Sequence, residues 1–227
     1  MINTVIFDLD DTLYDEIDYC KSGFAAIADF LHNANPSIPR ESFYKAIWNQ
    51  FENNNRTSTF NAALASFNLP CDEKIINELV AVYREHQPNI SLPPDSKKIL
   101  EQFKGLYNLA LLTDGFMPAQ RLKAEALGII DYFSCIVYTE ELGREFWKPS
   151  PAGFEKILKH FSIHADLSVY VADNVAKDFI APNSLGMASV RVIRPNTVHS
   201  NKSTDPQQAP QHTINSLAEL PALLRKL

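Results

Sequence analysis

Glycine and cysteine are scarce in this chain. Seven glycines stand among 227 residues, and none is followed by lysine, so a Walker-type phosphate loop is absent. The three cysteines, Cys20, Cys71 and Cys135, are scattered, odd in number and without a CxxC pair. That excludes a disulfide framework and a zinc ribbon and suits reduced thiols in the cytoplasm. None of the six histidines stands in an HExxH pattern, and His160 and His164 straddle a helix end, where a surface role suffices. No apolar run reaches the roughly 18 residues that a membrane span requires. The first residues carry acids where a secretory leader carries basic and small ones, so secretion is not expected. Positive charge is not in excess either. A net charge of −6 argues against broad nucleic-acid binding but leaves room for a small anion held by a few local groups. With 45% hydrophobic and 21% charged residues, the composition is that of a folded chain, long enough for one core and a smaller second unit.

Three β-prone apolar runs end in polar residues. Residues 2–9 run into Asp8, Asp10 and Asp11, residues 106–112 into Thr113-Asp114-Gly115, and residues 168–172 into Asp173. Buried strands that deliver polar groups at their C-terminal ends predict an open, mostly parallel α/β sheet with one shared functional edge. Helical patterns lie between them. Ile17, Cys20, Phe24, Ile27, Ala28 and Leu31 form one stripe; Leu122, Ala126 and Leu127 form another, and Phe154, Ile157, Leu158 and Phe161 a third. Gly128 and Gly186 are placed as helix stops, and Ser150-Pro151 as a helix start. Residues 15–91 are mostly helical, with breaks at Asn33–Pro39, Asn53–Ser58 and Leu69–Asp72, and rich in aromatics that suit core packing. They predict an all-helical insertion in an α/β core formed by residues 1–14 and 92–227. Residues 195–212 are expected to be a long loop, followed by a last helix around 216–227.

The chemistry concentrates at the strand ends. In extended chain, Asp8 and Asp10 point to the same face. With Asp173 they would form a cluster of oxygen ligands suited to a hard divalent cation, Mg²⁺ above all. Without a cation, three close carboxylates repel one another. Aspartate is also a good turn residue, so Asp8-Leu9-Asp10 alone fits a plain strand end equally well.

The string Asp8-Leu9-Asp10-Asp11-Thr12-Leu13 resembles the DxDx[TV] motif of the haloacid dehalogenase superfamily. Thr113, Lys148-Pro149, and Asp173-Asn174 with Asp178 follow in the order of its later motifs, and the insertion after the first motif resembles a C1-type helical cap. The resemblance implies that Asp8 is the nucleophile, forming an aspartyl-phosphate, and that Asp10 is the general acid and then the base. It implies that Thr113, the backbone N–H of Asp114 and Lys148 hold the phosphoryl group. Mg²⁺ would be bound by Asp8, Asp173 and the Asp10 carbonyl. Asp178 would reach the metal through water or hold Lys148, with Asn174 beside it. Neighbouring negative charge would raise the pKa of Asp10 enough for its acid role. Two residues depart from the pattern. Ala172 stands where glycine is frequent, and Asp114 where asparagine is frequent, so the Asp114 carboxylate must turn away from phosphate.

The function that follows is a cytoplasmic, Mg²⁺-dependent phosphatase acting on a small phosphorylated metabolite, as a monomer or homodimer, with no nucleic-acid or membrane partner. A phosphotransferase or mutase would keep every motif. A 2-haloacid dehalogenase fits less well, because halide departs without a proton and needs neither Asp10 nor Asp173.

Overall fold

In the computed structural model, which describes residues 1–198 and 205–227, the chain forms two compact units: residues 1–17 with 91–227, and residues 18–90. The first holds the sheet. Its strands are β1 (Thr4–Phe7), β2 (Asn108–Thr113), β3 (Cys135–Tyr138), β4 (Ser168–Ala172), β5 (Ala188–Val192) and β6 (His212–Ile214). They lie in the order β3-β2-β1-β4-β5-β6, and every neighbouring pair is parallel. β1 lies inside the sheet with all four residues buried, which is why it is apolar without alternation. The chain runs outward from β1 on one side through β2 and β3, then crosses to β4 on the other. The strand order therefore reverses at β1, and open α/β sheets place their sites in the crevice at such a reversal. Phe7 pairs with Leu111 on β2 and Val171 on β4, so these three strands end at one level and their polar continuations share one edge.

β3, β5 and β6 were not among the apolar runs read from the sequence. β3 has four residues and β6 three, and β5 is interrupted by Arg191. The expected loop at 195–212 contains a 3₁₀ turn at Pro206–Gln208 and ends in the first residue of β6. Residues 199–204 of that loop, His199 included, lie outside the described residues. The last helix is shorter than expected, a 3₁₀ turn at Leu217–Glu219 followed by a helix at Leu220–Leu224.

Ile6, Leu112, Val137 and Tyr170 from the sheet pack with Phe154 and Ile157 of the helix Ala152–Phe161 and with Phe179. This helix starts one residue later than the expected Ser150 cap, with Pro151 preceding it. Phe154 is fully buried, its ring edge-on to Tyr170 at 4.8 Å. Phe154→Ala should cost about 3–5 kcal/mol, the usual range for a buried aromatic truncation, read as a lowered denaturant midpoint.

The second unit is built by α1 (Glu16–Ala34), which begins in the first unit, α2 (Arg40–Glu52), α3 (Thr59–Ala65) and α4 (Glu73–Glu85), with no strand; α5 (Pro94–Phe103) follows in the first unit. From Cys20 to Leu31 the predicted α1 stripe is buried. Phe24 touches the rings of Trp48, Phe51, Phe60 and Tyr83, so the aromatics of this segment form its core. Gly23 lets α1 and α4 approach, since a Cβ there would meet the Tyr83 ring at 2.5 Å.

Candidate active site

The sheet edge gathers the motif residues in the first unit. β1 stops at Phe7, and the Asp8 N–H still donates to Val171 of β4 at 2.9 Å, which fixes Asp8 as the first residue past the strand. Its carboxylate is 2.7 Å from the Lys148 ammonium. Lys148 also lies 2.9 Å from Asp178 and donates to the Tyr170 hydroxyl at 3.0 Å. The Asp178 carboxylate further accepts from Tyr170 and from the Asn174 N–H. Asp178 thus contacts Lys148 directly. The Asn174 side chain accepts from the Ala176 N–H and shapes the turn that carries Asp173 and Asp178.

Burial opposes the charge on Lys148, but Asp178 and Asp8 outweigh it and hold the ammonium well above its ordinary pKa. Burial pushes the Asp8 carboxyl up to about 7, with Asp178 adding to the rise and Lys148 opposing it. One oxygen from each of Asp8, Asp173 and Asp178 lies within 4.8 Å of the others, and all three residues are buried. Lys148 pairs with two of these carboxylates, Asp8 and Asp178, and three carboxylates this close repel one another. An all-oxygen cluster of this kind fits a hard divalent cation, which would favour ionised Asp8.

Thr113 closes β2, and among the described residues its buried hydroxyl has no hydrogen-bond partner. A donor left open at a strand end can take an anionic oxygen. The Asp114 carboxylate does turn aside. It accepts from the Thr139 hydroxyl at 2.8 Å and from the Lys148 N–H at 3.2 Å, and pairs with Lys177 at 3.2 Å. Burial alone would raise its pKa, but the charges of Lys148 and Lys177 and these hydrogen bonds lower it. Asp114 thus ties the loops after β2, β3 and β4 together.

Asp10 departs from expectation. Its carboxylate is held chiefly by hydrogen-bond donors and one cation. Lys123 Nζ contacts both of its oxygens at 2.8 and 2.9 Å, Gln120 Nε2 donates at 2.9 Å and the Tyr14 hydroxyl at 2.5 Å. Burial would raise the Asp10 pKa, but Lys123, with the hydrogen bonds, outweighs it and lowers it below the ordinary carboxylate value. The expected upward shift is therefore corrected. Lys123 and Gln120 lie on α6 (Ala119–Ala126), where only Leu127 of the sequence stripe Leu122, Ala126 and Leu127 is buried. Ala119, Gln120, Lys123, Ala124 and Leu127 are the buried residues there. Residue type does not mark Lys123, since lysine is rarely buried unpaired. Tyr14, four residues after Asp10, was the one member of this group close enough in sequence to be suspected.

The haloacid dehalogenase-like hydrolase family matches residues 2–186. A glyceraldehyde 3-phosphate phosphatase of Methanocaldococcus jannaschii is 29% identical, covering 100% of this chain and 99% of its own. A ribulose-1,5-bisphosphate 5-phosphatase of Halopiger xanaduensis is 26% identical, covering 99% of this chain and 100% of its own. Among solved structures, a 2-haloacid dehalogenase from Pseudomonas syringae superposes with a TM-score of 0.68 at 25% identity, covering 100% of this chain and 99% of its own. A match that begins before the first motif and ends beyond the fourth cannot come from one shared strand end, and the chain therefore belongs to the haloacid dehalogenase-like hydrolases.

Proposed function

We propose that this hydrolase is a phosphatase of a small phosphorylated metabolite and works through an aspartyl-phosphate on Asp8. The observation that carries the reading is the separate holding of two carboxylates: Asp8 by Lys148 and Asp10 by Lys123. A phosphoester leaving group needs a second carboxyl for its proton, whereas halide needs none. The whole-length relatives named as phosphatases support the same reading.

In the first step an Asp8 oxygen attacks phosphorus, the ester P–O bond breaks, and the leaving oxygen takes a proton from Asp10. In the second step water attacks phosphorus, gives its proton to Asp10 and releases Asp8 as carboxylate. Lowered by Lys123, Asp10 is ready for the second role. For the first, the arriving phosphoryl charge acts against Lys123 and favours the protonated form. The Thr113 hydroxyl and the Asp114 N–H hold phosphoryl oxygens, and Lys148 balances charge on Asp8 and the transferring group. Asp8, Asp173 and the Asp10 carbonyl would hold Mg²⁺, with Asp178 and Asn174 behind them; when bound, the ion neutralises phosphoryl charge. We assign choice of substrate to the helical segment, residues 15–91, as the family's cap.

A panel of phosphorylated metabolites with Mg²⁺, read by released inorganic phosphate, tests the proposal. Steady release is expected. Transfer to a second metabolite without release would instead mark a transferase, and chloride release from a 2-haloacid would overturn the reading. Excess EDTA should abolish release, and added Mg²⁺ should restore it. Undiminished activity in EDTA would remove the metal from the account.

A further inference from the structure

A buried lysine and a buried glutamine on one short helix need a reason. Gln120 and Lys123 lie three apart on α6, hence on one face, and expose 4% and 3% of their surface. An apolar pair would pack that face with less desolvation cost. What both residues touch is the Asp10 carboxylate, more than a hundred positions away in sequence. The second proton of the Gln120 amide goes to the Asp114 carbonyl at 2.8 Å. With both protons on acceptors, the amide is locked, and its own oxygen is left buried without a partner among the described residues. A buried acceptor is sacrificed so that the amide nitrogen faces Asp10. Gly115 keeps the approach open. It has φ +142°, and a Cβ there would overlap the Gln120 amide, with Cδ at 2.8 Å and Cγ at 2.9 Å.

Building on the phosphatase reading above, we propose that Lys123 and Gln120 are positioning residues that aim the Asp10 carboxylate at the leaving oxygen and keep it off Lys148. Asp8 and Asp10 are two residues apart and lie at the same sheet edge. Each needs a cation, and an Asp10 that swung onto Lys148 would compete with Asp8 and with the phosphoryl group for that ammonium. Lys123 sorts the pair by giving Asp10 its own partner. Lys123 also lies 3.9 Å from Glu16, and its part in the reaction is assigned to its contact with Asp10.

The test compares Lys123→Met and Gln120→Met with the parent chain on an alkyl phosphate and on p-nitrophenyl phosphate. Loss of aim should lower turnover of the alkyl ester by about tenfold or more, part of the about 10²–10⁴-fold that acid–base catalysis supplies. The p-nitrophenol burst from p-nitrophenyl phosphate, which reports phosphorylation of Asp8 by a leaving group that needs little protonation, should slow far less, because Asp8 and Lys148 are intact. In an Asp10→Asn background, Lys123→Met should cost nothing more on the alkyl ester. Gln120→Met, which removes a neutral donor, should show the same pattern more weakly and stands in if Lys123→Met does not fold. Equal slowing of the first step with both esters, or an undiminished loss in the Asp10→Asn background, would overturn the proposal. A crystal structure of Lys123→Met reads the aim without any activity. A displaced Asp10 carboxylate supports the inference, and an unmoved one refutes it. If the parent chain hydrolyses no phosphomonoester, the phosphatase reading fails, and the structural comparison still decides whether Lys123 positions Asp10.

Discussion

Asp8→Asn should abolish turnover with every phosphoester, by about 10⁴–10⁶-fold, the scale on which a lost nucleophile is felt. An amide is a very weak nucleophile toward phosphorus, so no acyl-phosphate can form on it. The substitution preserves shape. The amide oxygen can still accept from Lys148, whose other carboxylate partner, Asp178, stays 2.9 Å away. The variant should fold, and it should bind phosphate. Rapid acid quench with radiolabelled p-nitrophenyl phosphate is the check. Label on the Asp8→Asn chain would show that the nucleophile lies elsewhere.

Asp10→Asn should behave differently. It keeps the backbone carbonyl and the side-chain volume but neither gives nor takes a proton. Turnover of an alkyl phosphate should fall by about 10²–10⁴-fold. With p-nitrophenyl phosphate, Asp8 should still be phosphorylated, because that leaving group departs without an acid. Hydrolysis of the aspartyl-phosphate then lacks its base, so a burst of one p-nitrophenol per site should precede a slow steady state. Lys123 makes this variant informative as well. Its ammonium faces both Asp10 oxygens and Gln120 donates to Oδ2, so an asparagine NH₂ fits best on the Oδ1 side, where the Tyr14 hydroxyl can turn and accept from it. Wild-type turnover by Asp10→Asn would remove Asp10 from both proton transfers.

The strand ends were legible because a buried parallel strand writes itself as an apolar run. β1, β2 and β4 are such runs, and Asp8, Thr113 and Asp173 mark where each leaves the sheet. β5 was not, because Arg191 breaks its apolar run, nor was β6, which is the three residues His212–Ile214. Within the site, the role of Asp178 as a holder of Lys148 was among the alternatives, and the turning aside of Asp114 was required by charge alone. The surroundings of Asp10 were not legible. Periodicity weighs Lys123 and Gln120 as polar and faces them outward, and their shared partner is supplied by β1, at the opposite end of the core sequence. The error over the inner face of α6 and the error over the Asp10 pKa have one source: a buried ion pair that has no sequence signature. Lys177 was overlooked for the same reason, since Asp114, 63 positions earlier, gives it its place.

Trapping the covalent intermediate tests the central claim most directly. Asp10→Asn, mixed with Mg²⁺ and radiolabelled p-nitrophenyl phosphate, quenched in acid and digested, should carry stoichiometric label on the peptide that contains Asp8. Hydroxylamine should release that label, as it does from an acyl-phosphate. A burst with no bound label, or a label on any peptide without Asp8, would contradict the account.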